Sequence, residues 1–177
     1  MSSKLKVQAI EKLGKKTQDK DGQFEMGTEE QQYAAQFIEL YLTNFSTIMK
    51  HTDDAELYAT AAINALRDTQ VRDYVIGIIN GDNINSIMVA LDHMMELAPK
   101  KYISAPASLL ALTYYETGQT QRARNTLVKA KPDYSLAGLL DRVFNAGWSV
   151  ESFQNMRGEL HPKVVERIFG EAKQSWD

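Results

Sequence analysis

The chain has 177 residues, no cysteine, 44% hydrophobic and 24% charged residues, and a formal net charge of −3 at pH 7. Without cysteine it has no disulfide, thiolate zinc site or cysteine nucleophile, and its length suits one domain that buries enough surface to need no staple. Its apolar stretches fall well short of the ~20 residues that span a bilayer, and its start lacks the apolar block of a secretory signal, so a cytoplasmic chain with no membrane partner is expected.

Leu5, Val7, Ile10 and Leu13 outline a short helix that Gly14 can stop, and 17–27 is polar and glycine-containing. Residues 1–27 therefore read as a basic helix and linker, and 28–177 as a single helical-repeat domain. Thr28 opens a long helix, with Thr28 and Gln31 as a capping-box pair and Glu29 and Glu30 at the positive end of its dipole. Tyr33, Phe37, Leu40, Tyr41, Phe45 and Ile48 follow at three- and four-residue steps as one apolar stripe. Asp53 with Glu56 is expected to cap a third helix and Asp68 a fourth. The fourth turns Val71, Val75, Ile78 and Ile79 inward and stops at Gly81. Further helices are expected over 83–98, as a pair within 104–132, and over 136–146, 149–156 and 162–174. No run alternates apolar and polar residues as a strand would, so the chain is expected to be all-α.

Residues 104–132 read as two helices hinged at Gly118. Leu110, Ala111, Tyr114, Gly118, Ala123, Leu127 and Ala130 stand at the spacings of a tetratricopeptide hairpin. There, large residues fill the interhelical gap, alanines allow close approach and glycine supplies the left-handed turn. Gly81, Gly118 and Gly147 lie 37 and then 29 residues apart, near the ~34-residue period of such repeats. Gly77 and Ser86 replace Tyr114 and Ala123 in the preceding pair. The expected fold is thus an irregular tetratricopeptide-like hairpin array or bundle of about nine or ten helices, one hairpin well formed and its neighbours degenerate.

Three stretches carry a family resemblance: RDTQVRD at 67–73, APASLLAL at 105–112 followed by Gly118 and Ala123, and DYSLAGLLD at 133–141. Over residues 55–150 the chain resembles the C-terminal helical region of actinobacterial domain-of-unknown-function family 4192. The resemblance implies a helical fold and carries no activity. Family members are longer, with a mixed N-terminal portion, which makes this chain look like a reduced version of the sort a phage or mobile element carries.

The candidates for chemistry are few. The loop TQDKDGQF at 17–24 resembles a calcium loop, but Thr17 and Thr28 occupy the positions of the anchoring carboxylates, so a plain turn is expected and no metal. His51, His93 and His161 lack metal spacing, although Asp92, His93 and Glu96 share a helix. No nucleophile elbow or phosphate loop is present, so no catalytic residue, cofactor or enzymatic activity is expected. Arg67 and Arg72, each beside an aspartate, either present a guanidinium to a partner or fix a helix corner. Trp148 and Trp176 are either exposed anchors or core.

The expected function is a non-enzymatic protein–protein interaction module, an accessory factor that binds a host or partner protein. Its surface would be the inner face of the first hairpin helix, where Ser108, Leu112, Tyr115 and Glu116 lie. That face is either an open groove or is filled by the C-terminal helix. As an alternative, residues 1–20 carry six lysines against Glu11 and Asp19, a charge of +4 that leaves −7 on the other 157 residues. Lys4, Lys6, Lys12, Lys15 and Lys16 could contact nucleic acid from such an arm, against the acidic balance of the body. Self-assembly through apolar helix faces is the third expectation.

Overall fold

A computed structural model of the chain describes residues 23–170. Among them are nine α-helices: α1 (Thr28–Thr43), α2 (Phe45–His51), α3 (Ala55–Ala65), α4 (Thr69–Ile78), α5 (Ile84–Leu97), α6 (Ser104–Glu116), α7 (Thr120–Leu127), α8 (Ser135–Ala146) and α9 (Val150–Phe169). A 3₁₀ turn, Lys100–Tyr102, precedes α6. The described residues contain no strand, so the fold is all-α. No helix among them is long and apolar enough to cross a membrane.

The centre of the second half is α6, in which every residue from Ser104 to Tyr115 is buried. A helix enclosed on all sides needs small residues where neighbours approach and partners for its polar groups. Ala105, Ala107 and Ala111 meet the first need. For the second, Ser108 Oγ donates to the Ser104 carbonyl at 2.7 Å and Thr113 Oγ1 to the Leu110 carbonyl at 2.7 Å. Pro106 sits in the first turn, where a missing N–H costs no helical bond. Helices α5, α7 and α8 enclose α6.

The hairpin expected at 104–132 forms as α6 and α7. Gly118 has φ +79. Its N–H donates to the Tyr115 carbonyl at 3.1 Å, and that of Gln119 to Tyr114 at 2.8 Å. These two bonds are a Schellman closure, which requires the left-handed residue that glycine supplies. Gly147 ends α8 in the same way, with φ +65 and bonds from Gly147 to Phe144 and from Trp148 to Val143.

The helices flanking Gly81 and Gly147 find other neighbours. Helix α4 packs mainly on α1 and α9, whereas α5 packs on α1, α2, α3 and α6. Gly77, which stands where the hairpin has Tyr114, accounts for the first choice. A Cβ there would lie 1.8 Å from His161 Nδ1 on α9. The bare backbone lets α9 seat against α4, forming a small cluster of Ala35, Tyr74, Val164 and Ile168 beside the main core.

Local expectations differ at several places. The expected break in the C-terminal helix does not occur: α9 runs through Pro162, because Phe153 and Arg157 bury its first half and Val164 and Ile168 its second. Gly27 rather than the Thr28 side chain caps α1, and Asp54 rather than Asp53 stands at the cap of α3. Residues 23–27 are seated on the core instead of forming linker: Met26 is buried, and the Phe24 N–H donates to the Arg67 carbonyl at 3.2 Å.

The partner for that segment is Asp68, a fully buried carboxylate. As expected it caps α4: Oδ1 accepts from the N–H groups of Gln70 and Val71 at 2.9 and 3.1 Å. Its Oδ2 accepts from Met26 N–H at 2.8 Å and from Gln31 Nε2 at 3.1 Å. One side chain therefore closes the start of α4 and fastens the approach to α1.

Two substitutions test this packing. Gly77→Ala should lower stability by about 1–2 kcal/mol in urea unfolding, because the clash with His161 outweighs the ~1 kcal/mol better helix propensity of alanine. Asp68→Ala should cost about 2–4 kcal/mol, from the lost cap and the stranded Met26 N–H. Asp68→Asn should fall between, since asparagine caps well but points a donor at one of these donors. Equal stability of all three proteins would disprove the shared-acceptor role.

Candidate functional site

The face expected to meet a partner is internal. Ser108, Leu112 and Tyr115 are buried. The Tyr115 ring stacks on Phe144 of α8 at a centroid distance of 4.5 Å and meets Phe153 of α9 edge-on at 6.3 Å. Its hydroxyl donates to the Trp148 carbonyl. Of the two sequence alternatives, the open groove gives way to the filled one: α8 and the start of α9 occupy it. Apolar area explains this, because leaving Leu112 and Tyr115 exposed would forgo about 1.5–3 kcal/mol each. Trp148 itself is 41% exposed.

Glu116 is also committed. Its carboxylate accepts from Arg157 Nη2 and Nε at 2.6 and 2.7 Å, and both side chains are buried. Arg157 Nη1 then donates to the carbonyls of Ile76 and Ile79, each at 3.0 Å. A cation at the C-terminal end of α4 complements the negative end of its dipole.

Neither Arg67 nor Arg72 offers an open fork. The Arg67 guanidinium lies between the rings of Phe24 and Tyr102, 4.5 and 4.0 Å from their centroids, and Nη1 donates to Asn64 Oδ1 at 3.2 Å. Arg72 donates twice to Asp73 Oδ1, at 2.9 and 2.6 Å, and once to the Tyr134 hydroxyl at 3.0 Å. Those neighbours hold the Arg72 proton more tightly than usual, although burial opposes them. Burial in turn raises the Tyr134 phenol above its ordinary value. Both arginines fix corners. Lys4, Lys6, Lys12, Lys15 and Lys16, residues 17–22 of the loop compared with a calcium site, and Trp176 lie outside the described residues.

Four clefts of about 390–510 Å³ open at the surface of the described residues, and two of them have the more apolar linings. One, of about 480 Å³, opens between α1, α2 and α3 against Phe37, Leu40, Tyr41, Ile48 and Tyr58, and no carboxylate, lysine or arginine lines it. The other, of about 420 Å³, lies between α4, α8 and α9. Its accessible floor is Ile76, Leu139 and Met156, above the buried Leu112, Leu136 and Phe153, and Leu160 stands at the edge with 51% of its surface exposed. Arg142 of α8 and Lys163 and Arg167 of α9 form its rim. All three are exposed, and none makes an ion pair with a described carboxylate.

The acidic side chains of α8 and α9, Asp141, Glu151, Glu159 and Glu166, do not line this cleft; Asp73 of α4 does, already engaged by Arg72. The result is an apolar trough rimmed by three basic side chains that form no ion pair among the described residues, in a part of the chain, residues 21–177, that sums to −7. No cluster of three His, Asp or Glu side chains able to hold a metal occurs among the described residues.

Sequence reasoning missed this wall because it split α9. Met156, Leu160, Lys163 and Arg167 stand at steps of four, three and four residues, one face of a single helix. A break before Pro162 divides that face, and the stripe disappears.

The family whose model matches the chain is described as Domain of unknown function (DUF4192), over residues 2–150. The chain belongs to that family. The match begins well before the stretch that carries the resemblance, and α9 lies almost wholly beyond it. No curated protein and no solved structure matches the chain.

The burial of Tyr115 has a direct test. Tyr115→Ala should cost about 3–5 kcal/mol in urea unfolding, as truncation of a packed aromatic does. A change below ~1 kcal/mol would return Tyr115 to the surface.

Proposed function

We propose that this member of the family is a non-catalytic binding module that docks a segment of a partner protein in the cleft between α4, α8 and α9. The observation that carries the reading is the combination of an apolar floor, a half-exposed Leu160 and three basic side chains without carboxylate partners. Interfaces concentrate their energy in such spots, where apolar anchors enter a recess ringed by polar groups. The enclosing helices are pinned by buried charge, which keeps the recess formed before a partner arrives and lowers the ordering cost of binding. A tetratricopeptide-like arrangement supports the same use, because hairpin scaffolds present rigid concave faces to peptides. Its cysteine-free composition fits action in the reducing cytoplasm.

The test uses the full chain immobilised as bait in a host lysate, beside the Leu160→Ser variant. Leu160 is exposed, so this substitution should leave the circular dichroism spectrum and the melting temperature unchanged. Proteins retained by the wild-type chain should be depleted about fivefold or more from the variant, the effect expected for loss of one apolar anchor. Identical retention by both would overturn the docking role of the cleft.

A further inference from the structure

Resting on that reading, we infer that the segment taken by the α4/α8/α9 cleft is an acidic amphipathic helix. The charge argument is local. Arg142, Lys163 and Arg167 come from two different helices, converge on one trough and have no carboxylate of their own. An occupant that brings carboxylates neutralises all three, whereas a basic occupant adds repulsion. The −7 carried by residues 21–177 makes this rim a positive island on that part of the chain, the other concentration of positive charge being the six lysines of residues 1–20.

Polarity along α9 orients the occupant. Met156 and Leu160 lie toward one end of the trough, and Lys163 and Arg167 toward the other. From position 156 to 167 is about 16 Å at the helical rise of about 1.5 Å per residue. A docked segment of about three turns therefore sets apolar side chains over Met156 and Leu160 and carboxylates over Lys163 and Arg167.

The conformation follows from what the fold offers. The described residues have no strand edge to extend, which removes strand addition. The accessible floor is aliphatic, with the Phe153 ring buried beneath it, which removes the aromatic slots that polyproline segments use. What remains is a helix laid in a groove, read by side chains three and four residues apart.

The experiment measures fluorescence anisotropy of three labelled peptides of about 14 residues against the full chain. One is an amphipathic glutamate–leucine helix, one its lysine–leucine counterpart, and one a scramble of the first that keeps composition and loses the apolar face. The acidic helix should bind, more weakly in 0.3 M salt than at low salt (about 0.3 M against about 0.05 M). The other two should not bind. The paired substitution Lys163→Glu with Arg167→Glu should weaken the acidic helix by about tenfold or more, and Leu160→Ser should also weaken it.

Equal binding of the scramble or of the lysine peptide overturns the inference. So does binding to vesicles of anionic phospholipid, or to a free long-chain carboxylate, without binding to the peptide. If Leu160→Ser depletes lysate partners while the charge reversals change nothing, the acidic occupant is wrong and the docking cleft stands. If Leu160→Ser changes neither measurement, the docking cleft itself falls.

Discussion

Helix α4 is held at both ends by charge that other elements bury. At its start Asp68 satisfies the first N–H groups of the helix and reaches across to Met26 and Gln31. At its end Arg157 caps the carbonyls of Ile76 and Ile79 while paired with Glu116. Neither member of the Arg157–Glu116 pair is replaceable alone, because removing one partner of a buried, hydrogen-bonded charge strands the other at a cost of about 3–5 kcal/mol. The position of α4 therefore fixes α1 on one side and α9 on the other. The cleft between α4, α8 and α9 inherits its shape from that double anchoring.

What the sequence made legible was what local chemistry decides. The α6–α7 hairpin, the turn at Gly118, the stop at Gly147 and the Asp68 cap all depend on residues a few positions apart. Their signals are correspondingly direct. Hidden from it were the choices made between distant elements. Gly77 looked like a degenerate hairpin position, and only the approach of His161 shows that its missing side chain is what seats α9. Met26 sat in a polar stretch and is core, because Asp68 lies ready to accept its N–H. Pro162 is a fair reason to end a helix in isolation, yet burial on both sides of it outweighs the loss of one backbone bond.

The same distinction explains the fate of the partner face read from the hairpin. Ser108, Leu112, Tyr115 and Glu116 do share one side of α6, and something does pack there. The occupant is the chain itself: Phe144, Phe153 and Arg157 take the places that a foreign peptide was expected to take. Pattern tells which residues are apolar on one face. It does not tell whether the surface that covers them is carried on the same chain.

The reach of Arg157 has a consequence for how the molecule comes into being. Its bonds to Ile76 and Ile79 bridge 81 and 78 residues of chain, whereas the closure at Gly118 joins neighbours. Short loops close at little entropic cost and long ones close late. During synthesis the hairpin has its turn in place well before the C-terminal wall has left the ribosome. The cleft, walled by α9, is thus completed only after the turn of the hairpin has closed.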